Sequence, residues 1–395
     1  MFKRNVLAVS LTLAGLCAAQ AAMADVNGGG ATLPQPLYQT AGVLTAGFAP
    51  YIGVGSGAGK AAFLNNDYTR FVPGDTSKNV HWAGSDSKLT QAELNAYVTN
   101  HGTAWGPLIQ VPSVATSVAI PFNKTGTANV DLSVAQLCGV FAGTLTDWNQ
   151  ITGSGRSGPI TVTYRAESSG TTELFTRFLN AKCPTAVPAV PGTFAITTNF
   201  ASSYSLGLPA GAVAATGSQA VMDAVNAAQG RITYMSPDYA ATTLAGLDDA
   251  TKVARVAGVS PAPANVSAAI AAVTVPAAAN RANPNAWVPV FAATTNPSDP
   301  SVVAYPTTGY PILGFTNVIF SQCYADATQT TQVRDFFTRH YNATAASSND
   351  AAITANRFVP LPGAWKSAIR GSFLTASNAL SIGNTNVCNG VGRPL

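Results

Sequence analysis

The chain has 395 residues, of which 47% are hydrophobic and only 10% charged, with a formal charge of +4. A charged share far below the roughly 25% of an ordinary soluble domain excludes a disordered tail protein, a charge-laced coiled coil and a histone-like nucleic-acid binder. At about 100 to 200 residues per domain, the length fits two or three lobes.

The chain opens with Lys3 and Arg4, followed by a mostly apolar run over residues 6–19 and by Ala22-Met23-Ala24, an A-x-A cleavage pattern. Residues 1–24 therefore read as a secretory signal peptide, Asp25 as the mature N-terminus, and the protein as periplasmic or secreted. Lipidation at Cys17 is the alternative; Leu16 argues against it, because lipoprotein signals carry a small residue there. Beyond the leader, acidic and basic residues nearly balance and the basic ones are scattered singly, which gives no footprint for nucleic acid or anionic lipid. No later stretch reaches about 18 uninterrupted apolar residues, so a soluble mature chain is expected.

Strand-like runs at residues 46–54, 80–83, 111–121, 160–165, 232–235 and 310–320 alternate with helical patterns, which is the signature of an α/β fold with crossover helices. A helix over residues 90–98 opens with Thr90 and Glu93 at capping-box spacing. Further helices are expected at residues 134–141, 171–181 and 331–341, the last carrying Phe336, Phe337 and Tyr341 as a core face. Residues 253–309, rich in Ala, Pro and Asn, read as an exposed excursion with short strands.

Cys138, Cys183, Cys323 and Cys388 form an even set, with no C-x-x-C and no histidine spaced to join a metal site. Three pairings are possible. Cys138 with Cys183 and Cys323 with Cys388 is favoured, because each pair then falls inside one candidate lobe; each loop would stabilise by about 4 kcal/mol in the chain-entropy picture.

The usual catalytic signatures fail. Around Gly59-Lys60 the GxxxxGK[ST] pattern breaks at Val54 and Ala61, and no G-x-S-x-G surrounds Ser56, Ser85 or Ser169. His81, His101 and His340 stand isolated, in structural or surface roles. No catalytic residue, metal ligand or cofactor is assigned.

Three segments instead place hydroxyls and backbone N–H groups at helix starts: Gly28-Gly29-Gly30-Ala31-Thr32-Leu33-Pro34, with Pro34 at a first helical position; Gly55-Ser56-Gly57-Ala58-Gly59; and Ser168-Ser169-Gly170-Thr171. Helix starts carry partial positive charge and unpaired donors, so three that converge would cage an anion. Arg165, four residues before Ser169, can grip two oxygens of a tetrahedral anion while Glu167 orients it. Asp86 would repel a bare anion, and makes sense beside one that keeps a proton.

The stretch Asp25-Val26-Asn27-Gly28-Gly29-Gly30-Ala31-Thr32-Leu33-Pro34-Gln35 resembles the start of the DING proteins, a branch of the phosphate-binding proteins that serve phosphate ABC importers. Val26 replaces the Ile of the signature. Similarity continues through residues 51–56, 80–88, 111–121, 164–180 and 372–390, and is loosest over 253–309. The resemblance implies a two-lobed Venus-flytrap fold, each lobe a central sheet flanked by helices. Lobe I would comprise residues 25–115 and 311–395, and lobe II residues 116–310, with a hinge near residues 113–121 and 310–315. It implies inorganic phosphate held by Thr32, Leu33, Ser56, Asp86, Arg165, Ser169, Gly170 and Thr171, with Glu167 behind Arg165. Many relatives outside the DING branch carry Asp at the position of Glu167. A monomer serving an ABC permease is the implied partner arrangement. Some family members are described as phosphatases, which keeps phosphomonoester hydrolysis as the alternative.

Overall fold

The computed structural model describes residues 25–186 and 190–394; the expected leader, residues 1–24, lies outside the described residues. Two six-stranded mixed sheets organise the chain. In spatial order the first holds Val359–Pro360, Leu108–Ser117, Leu313–Ser321, Trp82–Ser85, Gly28–Gly30 and Ile52–Gly53. The second holds Asp131–Leu132, Val253–Val256, Ile120–Asn123, Arg231–Ile232, Thr161–Arg165 and Val213–Ala215. This is the two-lobed α/β architecture that the sequence led us to expect.

The chain passes between the sheets where the expected strand 111–121 divides. Strand Leu108–Ser117 ends, Val118 and Ala119 intervene, and Ile120–Asn123 begins in the other sheet. Val118 N–H donates to the Ile312 carbonyl (2.8 Å) and the Tyr310 hydroxyl to that of Val118 (2.9 Å), so outgoing and returning chains run side by side.

Each sheet is anchored by aromatic rings. Trp82 stacks on Phe320 (centroids 5.4 Å apart) with Phe48 and Phe336 beside it, and in the second half Phe175 stacks on Tyr234 at 4.8 Å. Such pairs contribute about 0.5 to 1.5 kcal/mol each beyond burial. Helix Ser56–Asn65 lies directly on strand Gly28–Gly30, an approach open only to glycine: a Cβ on Gly59 would stand 2.5 Å from the Gly30 Cα, and Gly30 itself has φ +133°. This contact fixes where Ser56 points.

Several elements differ from expectation in extent. Of residues 46–54 only Ile52–Gly53 is strand, and of 232–235 only Ile232 lies in the strand Arg231–Ile232. The capping box at Thr90 and Glu93 is present, but the helix runs Gln91–Trp105 and stops at Gly106 (φ +75°), where the Tyr97 hydroxyl donates to the Gly106 carbonyl. Pro34 occupies the N-cap position of a short helix, Gln35–Gln39, rather than its first turn. Both favoured disulfides are present, Cys138–Cys183 and Cys323–Cys388, with Cα separations of 5.6 and 5.3 Å.

The largest departure concerns residues 253–309, which are not an exposed excursion. Val253–Val256 is an inner strand of the second sheet, and helix Pro263–Ile270 then packs on strand Leu108–Ser117 of the first. Trp287 is buried against Trp365 and Phe373, and Phe291 against Phe315, all from the first half; Tyr305 packs on Phe178 from the second. The segment straps both halves. Its Ala- and Pro-rich composition concealed three aromatic anchors, Trp287, Phe291 and Tyr305.

Candidate functional site

Two of the three glycine-flanked helix starts meet head to head between the sheets. Gly55 caps Ser56–Asn65 with φ +94°, and Ser169 opens helix Gly170–Ala186 by accepting from Thr172 N–H (3.3 Å). A Cβ on Gly170 would fall 2.4 Å from Ser56 Oγ and 2.6 Å from Asp86 Cβ, so only glycine lets the halves approach this closely. The third segment arrives through Thr32, whose Oγ1 lies 2.9 Å from Ser218 Oγ in the second half.

Asp86 follows strand Trp82–Ser85 into this space and is 4% exposed. Its Oδ1 accepts from the Thr316 hydroxyl (2.7 Å) and its Oδ2 from that of Ser56 (3.4 Å), while its own N–H donates to Ser56 Oγ (3.1 Å). Antiparallel pairing of Asn317 with Ser85 brings Thr316 opposite. Burial pushes the Asp86 carboxyl up to about 6, against the pull of the Thr316 hydroxyl and the Arg165 guanidinium.

Arg165 ends strand Thr161–Arg165 and is 2% exposed. Glu167 Oε1 accepts from Arg165 Nε (2.6 Å) and Nη2 and from Gly217 N–H (3.0 Å), and Arg165 Nη1 donates to Ser218 Oγ (3.2 Å). Among the described residues these bonds leave one N–H on each terminal nitrogen without a protein acceptor, which is the fork a tetrahedral anion requires. The guanidinium is thereby held in one plane.

The remaining expected residues are all buried here. Ser169 Oγ accepts from Thr172 N–H and so keeps its hydroxyl proton for a guest, and the Thr171 hydroxyl is buried facing the Asp86 carboxylate. Leu33 has its side chain in the core, so it can offer only backbone. All eight expected residues, with Glu167, thus lie in the three glycine-marked segments, at the end of strand Thr161–Arg165 and in the loops that follow it and strand Trp82–Ser85.

Three contributors escaped the sequence reading: Thr316, Ser218, and Tyr234, whose hydroxyl accepts from Arg165 N–H (3.3 Å) and meets Thr172 Oγ1 at 2.7 Å. A lone hydroxyl on a strand or helix start carries no motif. The histidines stay outside the site. His81 and His340 are buried, with burial lowering them to about 3 and about 4, and His101 stacks on Trp105. A separate cavity of about 730 Å³, lined by Lys88, Arg177 and strap residues such as Asn285, contains none of the eight.

The model of the PBP superfamily domain matches residues 18–339. Alkaline phosphatase L of Pseudomonas aeruginosa strain UCBPP-PA14 is 74% identical, with both chains fully covered. A phosphate-binding protein from an unknown prokaryotic organism is 70% identical over 94% of this chain and all of its own. Among solved structures, the phosphate-bound form of a high-affinity periplasmic phosphate-binding protein, PfluDING, superposes with a TM-score of 0.90 at 72% identity, covering 94% of this chain and all of that one.

Proposed function

The chain belongs to the PBP superfamily, in its DING phosphate-binding branch, and from that premise we propose that it binds inorganic phosphate with high affinity in the cleft between the sheets, for phosphate uptake or scavenging. The observation that carries this reading is the meeting of Arg165 and Asp86, from different sheets, in one buried cluster with Ser56, Ser169 and Thr171.

Recognition follows from counting donors. Arg165, the hydroxyls of Thr32, Ser169 and Thr171 and the backbone N–H groups of Leu33, Ser56 and Gly170 donate to the anion, while the Ser56 hydroxyl donates to Asp86. Asp86, ionised above about pH 6, accepts. Phosphate near neutrality keeps at least one proton to give to Asp86, whereas sulfate, with the same shape, offers only lone pairs. With no water to relieve the unmatched carboxylate, rejection of sulfate by about 10⁴-fold or more is expected. Arg165 supplies affinity through a desolvated, charge-assisted grip.

In this reading the protein works as a periplasmic or secreted monomer delivering phosphate to an ABC permease; among the described residues no helix is long and apolar enough to cross a membrane. The moving lobes are residues 25–115 with 311–395, and 116–310, with part of the latter acting as the strap. Closure buries the anion.

Phosphomonoester hydrolysis is the second reading. Its support is the name of the Pseudomonas aeruginosa relative and the Ser56 hydroxyl directed at the Asp86 carboxylate, 3.4 Å away, which is a nucleophile beside an acceptor. The Ser56 oxygen, however, also accepts from the Asp86 N–H, which ties up a lone pair that attack would use.

Calorimetric titration of anion-stripped protein with phosphate, in the presence and absence of excess sulfate, tests the binding reading; heat that sulfate abolishes would sink it. Turnover of a chromogenic phosphomonoester by highly purified protein, lost in Ser56→Ala or Asp86→Ala, would move the assignment to the enzyme.

A further inference from the structure

Ser218 lies between the two halves of the site and belongs to neither glycine-flanked helix start. It opens helix Ser218–Asn226, is 1% exposed, and touches Thr32 Oγ1 (2.9 Å) on one side and Arg165 Nη1 (3.2 Å) on the other. The preceding N–H, of Gly217, donates to the same Glu167 oxygen that holds Arg165 (3.0 Å). One carboxylate therefore fixes both the guanidinium and the turn that carries Ser218.

The donor inventory sets the direction of this chain of bonds. A guanidinium only donates, so Ser218 Oγ accepts from Arg165 and keeps its own proton to place. Among the described residues Thr32 Oγ1 is the acceptor in reach. If Thr32 donated to Ser218 instead, the buried Ser218 proton would be left without an acceptor, at the desolvation cost of an unmade bond. Thr32 therefore accepts from Ser218, and its own proton is left to point at the guest.

We infer that Ser218 is a positioning residue for anion binding: it relays the polarity of Arg165 to Thr32 and locks the Thr32 hydroxyl as a donor. Thr32 otherwise has a free choice, since a hydroxyl presents either a proton or a lone pair. With the relay in place the site meets its guest as donors only, with Asp86 as the acceptor, and aligned bonds along the chain polarise one another. Because the relay spans both halves, it assembles only when the halves are together. This inference rests on the anion-binding reading above.

The test is a double-mutant cycle in phosphate affinity on the full mature chain, using Ser218→Ala, Thr32→Val and the pair. Ser218→Ala should weaken phosphate about tenfold, as for one buried hydrogen bond in a charged network, with little change in the unfolding midpoint of the ligand-free protein. In the Thr32→Val background, most of that loss should vanish, because the hydroxyl on which Ser218 acts is gone. A merely structural serine would give losses that multiply. Losses that multiply, or wild-type affinity in either single variant, overturn the relay. Failure of the wild-type protein to bind phosphate in the same titration removes the functional reading itself, and the relay with it.

Discussion

The two halves of the site do different work. On the first sheet's side, Asp86 is an acceptor held among hydroxyls, and its carboxyl is driven upward by burial. On the second sheet's side, Arg165 is a donor whose plane is fixed by Glu167 and Ser218. If the cleft takes phosphate as proposed, the first half tests what the guest carries and the second attracts any anion of the right shape. In the proposed reading affinity and selectivity are thus separated onto different sheets, and they would act together only when Gly170 lies against Ser56 and Asp86.

That division can be broken from either side. Asp86→Asn keeps the shape and gains donors, so the preference for phosphate over sulfate should collapse by about 10⁴-fold while phosphate itself is weakened much less. Competition calorimetry reads both numbers, and unchanged selectivity would refute the role of Asp86. Arg165→Ala removes two charge-assisted bonds of about 1.5 to 3 kcal/mol each, so phosphate should weaken about 10²- to 10⁴-fold with selectivity retained. A variant that binds as the wild type does would take Arg165 out of the site.

Closing the gap between the halves sharpens the comparison. Gly170→Ala would put a methyl 2.4 Å from Ser56 Oγ, which should hold the lobes apart and weaken phosphate about 5- to 100-fold. Scattering with and without phosphate should show compaction in the wild type and less in the variant; equal compaction would mean that the contact does not limit closure.

The smallest effect is expected from pH. The unfolded carboxyl titrates near 3.8 and the folded one at about 6, so between these values the folded protein holds the extra proton. The contribution of Asp86 to stability therefore falls as pH rises from about 4 to 6. Below 6 the carboxyl becomes a donor, and sulfate rejection should weaken by up to about tenfold per pH unit. Sulfate competition measured at about pH 5 and pH 8 checks this, and equal rejection at both would contradict the assigned acceptor.

Most of the candidate cluster was legible because its residues sit in short contiguous runs. Arg165 through Thr171 fall within one strand-to-helix turn, and Gly55-Ser56 marks another helix start by glycine alone. Ser218 and Thr316 were not legible: they reach Thr32 and Asp86 across 186 and 230 residues of chain, and a single hydroxyl has no spacing to read. Helix Gln91–Trp105 outran expectation for a related reason. The expected end at Val98 lies mid-helix, and packing of Leu94, Tyr97 and Trp105 carries the helix on to Trp105.

What the sequence determined by itself was local: alternation of strands and helices, glycine-marked helix starts, an even cysteine set, and the charges beside them. All of these are encoded by neighbours in the chain. Tertiary structure decided that the segment 253–309 is a strap and that Asp86 is dry enough to stay protonated up to about pH 6. It also decided which hydroxyls stand behind Arg165. Desolvation and bond direction depend on groups that meet through space, and only the packing of one sheet against the other brings them within reach.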